Sequence, residues 1–434
     1  MVIQKRYNYP AKYYEKCLKA LDTALGTAPL YKSWRAFDPG PDTDIDERYA
    51  ALPELTKKAM REHFPQGLVP NGRNIEEGLE RDEIEYTFTS GTTGEKVINL
   101  WNQEWWYASE AVSWKLNAHT AVLDYPQNDA KLASSLNIGI HCEEDLPMGH
   151  RILGNHLYLN EKINVISWQT RHLERMAHEL NVYKPAVLEA NPSLLARLAW
   201  WAWDNGKELY SPAAIIFTYE YPSCIHLAAI KRVFSSPLIS SYGSTETGFV
   251  LMQCEDGLFH QNTDFCRIDY YPLAERHGGP ELGRILVSTF DNPWTCILRF
   301  DMGDLIRLHP AKECSCGRHE GLIAEAVEGR VANATFTTSG DLVTTMALDK
   351  RLADIPEIRD YHLEQHTPTK YELQLMLTDK SQNVLDSTRE ALTSLYGRDG
   401  EYMLRVVPGI FPGPAGKYRR TQANFKFDQK GLFV

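Results

Sequence analysis

Between residues 160 and 242 the chain alternates short apolar runs with amphipathic stretches. This alternation restricts the fold more than any other feature. "INVISW" (163–168) reads as a strand and "RHLERMAHEL" (171–180) as a helix. "AVLEA" (186–190) is a strand, followed by a helix in "PSLLARLAWWAWDNG" (192–206) that Gly206 closes. "AAIIF" (213–217) is a strand, 222–234 a helix and "PLISSY" (237–242) a strand. Short apolar strands joined by helices imply a parallel sheet covered by helices. Such sheets bind ligands beyond the carboxyl ends of their strands.

The flanks complete the outline. Residues 11–24 have helical periodicity, and 52–65 read as a loop feeding a helix with Thr56 as its N-cap. "IEYTF" (84–88) and "KVINLW" (96–101) read as strands, and 103–118 as a helix rich in aromatic residues: Trp105, Trp106, Tyr107 and Trp114. From about 282 the pattern is β-rich, in "LGRILVSTF", "CILRF" and "DLIRLH". A boundary follows "EGR" (328–330), and beyond it a helix near 346–353, strands near 358–365 and 371–378, a helix near 382–396 and a strand near 402–407. That tail falls within the roughly 50–250 residues of an ordinary domain. The expectation is an α/β protein with a large N-terminal body (1–330), built on a parallel sheet with a β-rich subdomain, and a small α+β C-terminal lid (331–434).

Charge narrows the partners. Forty-six basic residues against 57 acidic ones give a net charge of −11, with no basic block. Nucleic acid and anionic membranes are therefore poor main partners. No 18-residue apolar run occurs, and the N-terminus lacks the apolar stretch of a signal peptide. Eight cysteines in 434 residues do not make a disulfide scaffold, so reduced thiols in the cytoplasm are expected, some of them on metal.

Five short stretches carry chemistry. "TFTSGTTGEK" (87–96) joins two strands; its Gly91 and Gly94 permit a nest of backbone N–H groups, its hydroxyls add donors and Lys96 adds charge. It lacks the Walker A pattern and does not open a helix. "SSYGSTETGF" (240–249) follows an apolar strand: Tyr242 can stack on a base, Thr245 can donate to a phosphate, and Glu246 can hold Mg²⁺. Asp304 in "ILRFDMGDLIRL" can accept from ribose hydroxyls, and Arg330 of "EGR" lies at the domain joint. Lys417 sits in the loop "PGPAGKYRR" (412–420), where a domain movement can deliver a charge to a distant site. Each stretch taken alone reads as a solvated turn or tail.

In this order, "TSGTTGEK", "YGSTE", "GD", "GR" and "GK" resemble the adenylate-forming superfamily of acyl-CoA synthetases and adenylation domains. "LPELTKKAMREHFP" and "CSCGR" followed by "EGR" resemble its phenylacetate–CoA ligase branch. The resemblance runs from about residue 30 to 420. It implies attack of a carboxylate on the ATP α-phosphate, then capture of the acyl-AMP by a thiol after the lid rotates. By motif, Thr89, Ser90, Gly91, Thr92, Thr93, Gly94 and Lys96 would cradle phosphates. Tyr242, Gly243 and Thr245 would flank AMP, with Glu220 in the adenine loop. Glu246 would bind Mg²⁺, Asp304 and Arg330 would hold the ribose, and Lys417 would bridge carboxylate and α-phosphate. Three stretches depart from the branch, one being "RFDMGD" in place of its usual "RYRT.D". Its "GAEPW"-like loop reads "FTYEYPS" (217–223) here, with Thr218 and Tyr219 for small residues, and its "GR.DD" hinge reads "GRVAN" (329–333), with Ala332 and Asn333 and no acid.

A zinc site is a separate expectation. Cys314 and Cys316 form a C-x-C pair, and Cys254 with His260 supply the rest of a tetrahedral set, with His319 as an alternative ligand. Some members of the resembled branch carry such a metal. Cys17, Cys142, Cys224, Cys266 and Cys296 read as core residues. The acid is placed among 136–150, 217–222 and 240–249, with His141 and Tyr219 as candidate contacts. The resemblance favours an aryl or arylacetic acid. Trp200, Trp201 and Trp203 share one helix and cannot all face one ligand. The acceptor thiol is coenzyme A or the phosphopantetheine of a carrier protein. A hydroxyl or amine acceptor, and a nucleotide-binding protein without ligase activity, are the other readings.

Overall fold

The alternating strands form the centre of one twelve-stranded sheet. The computed structural model describes residues 7–88, 97–125, 130–134, 146–159, 168–413 and 417–434. Sheet order runs Cys266–Pro272, Leu282–Thr289, Phe300–Leu308, Ile323–Arg330, Phe259–Gln261, Gly248–Gln253, Leu238–Ser244, Ala214–Phe217, Val187–Ala190, Leu132–Ser134, His156–Tyr158 and Ile152–Leu153. From Leu238–Ser244 to His156–Tyr158 the pairings are parallel. Toward Cys266–Pro272 they are antiparallel. The β-rich segment is thus continuous with the parallel sheet rather than a sheet of its own. Most of the strand expected at 163–168 lies outside the described residues. "CILRF" is not a separate strand: Phe300–Leu308 runs through both expected segments, and only its first residue comes from "CILRF".

Side-chain alternation assigns the two faces of the parallel half. Leu188, Ile215 and Phe217 pack against the helices Thr170–Tyr183 and Pro192–Asp204 through Leu180, Leu195 and Ala199. Val187, Ile216 and Ile239 face the other way, toward Trp114 of the helix Gln103–Trp114. Asn191 caps Pro192–Asp204 by accepting from Leu194 N–H, and Pro192 occupies the first turn, where its missing N–H costs nothing. Trp200 and Trp201 pack partly against this core while Trp203 is exposed. Thr56 caps Lys57–His63 as its hydroxyl spacing implies.

Residues beyond 334 contribute a four-stranded sheet in the order Glu401–Val406, Lys370–Leu377, Ile358–Thr367, Thr421–Ala423. Its central pair is antiparallel and both outer pairs are parallel. Helices Thr345–Ala353 and Gln382–Tyr396 cover it through Leu348, Leu352 and Leu392. The strand Thr421–Ala423 is too short to read from periodicity, yet it fixes the direction in which the Lys417 loop enters the sheet.

Two buried polar clusters join this sheet to the larger part. Asp349 accepts from Ser223 Oγ at 2.6 Å, Cys224 N–H at 2.5 Å and Tyr221 O–H at 3.2 Å, and so caps the helix Cys224–Lys231 from across the interface. Arg420 pairs with Asp360 at 2.6 Å and donates to Ser193 Oγ at 3.1 Å and to His226 Nδ1 at 3.0 Å. His226 Nε2 lies 3.3 Å from Asp360, so a neutral His226 bridges the pair. Burial and the Arg420 charge lower the His226 pKa and favour that neutral form. Burial alone would raise the Asp360 carboxyl, but Arg420 and His226 outweigh it and hold Asp360 well below the usual carboxylate range.

Replacing Arg420 with Ala leaves the Asp360 charge buried and unpaired, which should cost about 3–5 kcal/mol of unfolding free energy. The Asp360 contribution is present above the ordinary carboxylate pKa of about 4 and is lost as the pH falls below it. Urea denaturation at a series of pH values should show an acid-side loss of stability in the native chain that is reduced in R420A. Equal midpoints for R420A and the native chain would refute this account of the cluster.

Candidate active site

The site is built at the carboxyl ends of the parallel strands and on the adjoining antiparallel strands, where expected residues come together from five segments. Tyr242, near the end of Leu238–Ser244, donates its phenol O–H to Asp304 Oδ2 at 3.0 Å. Asp304 pairs in register with Arg330 on the neighbouring strand, and Arg330 Nε lies 3.4 Å from its Oδ1. Asp304 is 8% exposed, so its charge is held by these two partners rather than by water. Glu246 is 7% exposed and lies in the turn between Leu238–Ser244 and Gly248–Gln253, beside the half-buried Thr245.

The turn is glycine-bounded for a steric reason. A Cβ on Gly243 would come within 2.1 Å of the Gly248 carbonyl oxygen. Gly248 has φ of +68°, and a Cβ there would meet Trp105 and Ser109 of the helix Gln103–Trp114 at 2.9 Å. The "YGSTETG" spelling is therefore imposed by close backbone approach as well as by any ligand.

Lys417 approaches from the C-terminal segment. Glu220 Oε2 accepts from the Tyr418 N–H at 3.0 Å, and Gly413 N–H donates to the Lys417 carbonyl at 3.0 Å. Glu220 follows Tyr219, whose φ of +75° marks a strained turn after Ala214–Phe217. The charges acting on Lys417 are those of Arg330, Glu220, Asp304 and Lys57. Burial, then the Arg330 and Lys57 cations, push the Lys417 ammonium down to about 8 against the opposing carboxylates.

Lys57 was not among the residues expected here, although it lies within "LPELTKKAMREHFP". It opens the helix Lys57–His63, and burial followed by Arg330 lowers its pKa, while Glu246, Asp304 and Asp301 act to raise it. Three cations, Lys417, Arg330 and Lys57, thus lie within electrostatic range of four carboxylates, Glu220, Asp304, Glu246 and Asp301, a concentration typical of sites that handle charged ligands. The loop Thr89–Lys96 lies outside the described residues, as do His141 and Cys142. The strands on either side of it, Glu85–Phe88 and Ile98–Trp101, pair antiparallel.

The four expected metal ligands also meet. The ligand atoms of Cys254, His260, Cys314 and Cys316 all lie within 4.8 Å of one another. Cys254 Sγ and Cys314 Sγ are 3.7 Å apart, and Cys316 Sγ is 3.4 Å from His260 Nε2. A tetrahedral zinc with Zn–S near 2.3 Å places sulfurs about 3.8 Å apart, so the set fits that ion. Burial and the Arg318 charge push His260 down to about 4, keeping the imidazole neutral as a ligand must be. His319 is exposed and outside this set. Cys17 and Cys266 are core residues as expected, while Cys224 and Cys296 are only partly buried.

With this geometry in hand, comparison with known proteins is informative. No family model matches the chain. Protein CapK of Staphylococcus aureus is 20% identical over 395 residues, covering 86% of this chain and 80% of that protein. 2-Hydroxyisobutyryl-CoA ligase in the postadenylation state, in complex with R3-HIB-AMP, superposes with a TM-score of 0.71 at 15% identity, over 96% of this chain and 90% of that one. The anthranilate CoA ligase AuaEII in complex with anthranoyl-AMP gives 0.54 at 14% identity over 78% and 66%. The amide bond synthetase McbA from Marinactinospora thermotolerans gives 0.50 at 14% over 81% and 70%. The chain has the adenylate-forming ligase fold. Because CoA ligases and an amide bond synthetase share it, the fold alone does not select the acceptor.

The lowered Lys417 pKa has a direct chemical readout. Amine-selective labelling followed across pH by mass spectrometry should bring Lys417 to half-maximal reactivity near pH 8, well below solvated lysines at about 10.4. Labelling of Lys417 in step with the surface lysines would contradict the site electrostatics.

Proposed function

We propose that the protein is an AMP-forming acid–thiol ligase of the phenylacetate–CoA ligase type, with residues 1–330 as the nucleotide- and acid-binding body and 331–434 as a mobile lid. The observation that carries this reading is the arrival of Lys417, from the far end of the chain, beside Glu220, Asp304, Arg330 and Lys57. In the first step a carboxylate oxygen of the acid bonds to the α-phosphorus of ATP and the bond to pyrophosphate breaks. Lys417, as the ammonium, reduces the repulsion between the two anions and holds them in line. Lys57 offers a second charge on the Glu246 side. Asp304, oriented by Tyr242 and Arg330, accepts from the ribose hydroxyls. Glu246 fits a Mg²⁺ site by its burial and its place in the turn; the ion when bound neutralises phosphate charge. The 89–96 loop, with Thr89, Ser90, Gly91, Thr92, Thr93, Gly94 and Lys96, supplies phosphate donors in this reading. In the second step a thiol sulfur bonds to the acyl carbon and AMP leaves.

The acceptor is coenzyme A in this reading, and a carrier-protein thiol leaves the first step unchanged. The acid is aryl or arylacetic, a preference supported by the aromatic residues Tyr219, Tyr158, Trp106 and Phe249 near the strand ends. The second step requires release of the Asp349 and Arg420 clusters, since both tie the lid to the body.

Acid-dependent pyrophosphate release with ATP and Mg²⁺ should be observed, with a CoA-thioester mass appearing on addition of coenzyme A. K417A should lose pyrophosphate release by about 10²-fold or more while still converting supplied acyl-AMP to thioester. In the native chain kcat/KM for the first step should fall as pH rises above about 8, where Lys417 loses its proton. Retention of the first step in K417A would remove the lysine from this role.

We also propose that Cys254, His260, Cys314 and Cys316 hold one structural zinc that clamps the Phe259–Gln261 strand to the loop before Ile323–Arg330. With four protein ligands no coordination position is open for catalysis. Elemental analysis should give about one zinc per chain, and C316S should lose it along with several degrees of thermal stability. A metal-free chain from zinc-replete expression, with freely reactive Cys314, would exclude the clamp.

A further inference from the structure

Asp304 lies on a bulge that one residue of the neighbouring strand holds at both ends. The strands Leu282–Thr289 and Phe300–Leu308 pair Arg284 with Leu305 and Leu286 with Asp301. Between these pairs one residue, Ile285, is opposed by three: Met302, Gly303 and Asp304. Bulges of this kind re-aim side chains beside active sites. Gly303 has φ of +74°, and a Cβ there would meet nothing, so the backbone conformation alone calls for glycine. The bulge touches two parts of the candidate site. Asp304 accepts from the Tyr242 O–H and lies against Arg330. The Met302 sulfur lies 3.8 Å from the Thr247 hydroxyl and 3.9 Å from that of Ser244, in the turn that carries Glu246.

The side chain of Arg284 supplies the second hold. Its Nη1 donates to Asp301 Oδ2 at 3.0 Å, and Nη1 and Nη2 donate to the two carboxylate oxygens of Glu54 at 2.9 and 2.6 Å. The guanidinium lies over the rings of Tyr271 and Phe433, 5.3 and 4.9 Å from their centroids. Asp301 Oδ1 accepts from the Gly303 N–H at 2.9 Å, which fixes the start of the bulge. The backbone of Arg284 thus sets Leu305, one residue beyond Asp304, while its side chain sets Asp301, three residues before it. Glu54 extends the hold to the segment that opens the Lys57 helix. There the Leu55 N–H donates to the Arg299 carbonyl at 2.9 Å, and the Asp301 N–H donates to the Leu55 carbonyl at 3.0 Å.

Resting on the ligase reading above, we propose that Arg284 is a positioning residue: by clamping Asp301 it holds the bulge so that Asp304 presents its carboxylate to the ribose hydroxyls of the nucleotide. Arg284 itself touches no ligand in this role. The three bulge residues have no partner in register on Leu282–Thr289, so their own pairing on that side does not fix their path. A slip of one residue turns a side chain to the opposite face of a sheet. Tyr242 and Arg330 act on the Asp304 carboxylate, whereas Arg284 acts on the backbone that delivers it. The planar fork of a guanidinium can hold two carboxylates at once, a geometry that the compact ammonium of lysine does not reproduce.

The test uses the full chain with Mg²⁺ and two nucleotides, ATP and 2′,3′-dideoxy-ATP, which lacks the hydroxyls offered to Asp304. Calorimetry gives Kd for each and needs no turnover. The native chain should bind ATP at least about tenfold more tightly than the dideoxy nucleotide. R284M should lose about tenfold in affinity for ATP and little for dideoxy-ATP, so that discrimination falls to that of D304N. R284K should restore only part of it. Adding R284M to D304N should change neither Kd further, since both act through one contact. A tie that merely stabilised the fold would lower the melting temperature and leave the ratio of the two Kd values unchanged. D301N, which keeps the Glu54 pair, carries the same expectation where R284M does not fold. Native discrimination retained in R284M or D301N overturns this inference and leaves the ligase reading standing. Equal affinity of the native chain for both nucleotides removes Asp304 from the ribose and this inference with it, while acid-dependent pyrophosphate release still upholds the ligase reading. Absence of both ATP binding and pyrophosphate release overturns both.

Discussion

The Arg420 guanidinium, buried between Asp360, His226 and Ser193, is the interaction on which the arrangement of the site depends. It is three residues from Lys417, and Thr421 immediately enters the lid sheet beside Leu363. With Arg420 anchored on the body and Thr421 in the sheet, little freedom is left for the residues between them and the loop. Tyr418 then docks its N–H on Glu220, and Lys417 faces the Asp304–Arg330 pair. A buried ion pair is a poor source of net stability, but removing one partner is severe, and that asymmetry gives the cluster its specificity. It favours one docking geometry because displaced alternatives strand a charge in the interface.

The same polar groups also seat the C-terminal sheet on the larger part. The contact combines these polar clusters with apolar ones: Leu273, Leu282 and Leu305 pack with Val331, Phe336 and Leu432, and Leu194 packs with Ile410 and Tyr418. Ile225 also joins the hydrophobic cluster of the C-terminal sheet. Polar groups can exchange protein partners for water at modest net cost when both sides separate together.

Much of the fold was legible because periodicity reports burial directly. The strands at 186–190, 213–217 and 237–242 and the helices between them match the observed elements to within a few residues, as do the lid elements. Pairing was less legible. The antiparallel extension places Phe259–Gln261 between the strands Gly248–Gln253 and Ile323–Arg330, and its pairing of Phe259 with Ala324 joins residues 65 positions apart, which local patterns cannot encode. The Cys254, His260, Cys314 and Cys316 set was named from the sequence, and the strand Phe259–Gln261 is what brings His260 beside Cys316. Lys57 and Arg284 were missed for different reasons. Lys57 sits among other charged residues of an amphipathic helix and looks solvated. Arg284 was visible as one cation in a β-rich run, but nothing in the sequence shows that it faces Glu54 and Asp301.

By itself the sequence determined the α/β class, the ordered set of candidate site residues and the residue types of the Cys/His cluster, because composition, spacing and side-chain period are local properties. Only the tertiary structure decided that Lys417 reaches Glu220 and Asp304, that Lys57 joins them, and that Arg284 ties Glu54 to Asp301. The physical reason is that electrostatic neighbours are chosen by packing. The charge a side chain carries, and what it can bind, follow from which groups the sheet and helices bring within a few ångströms of it.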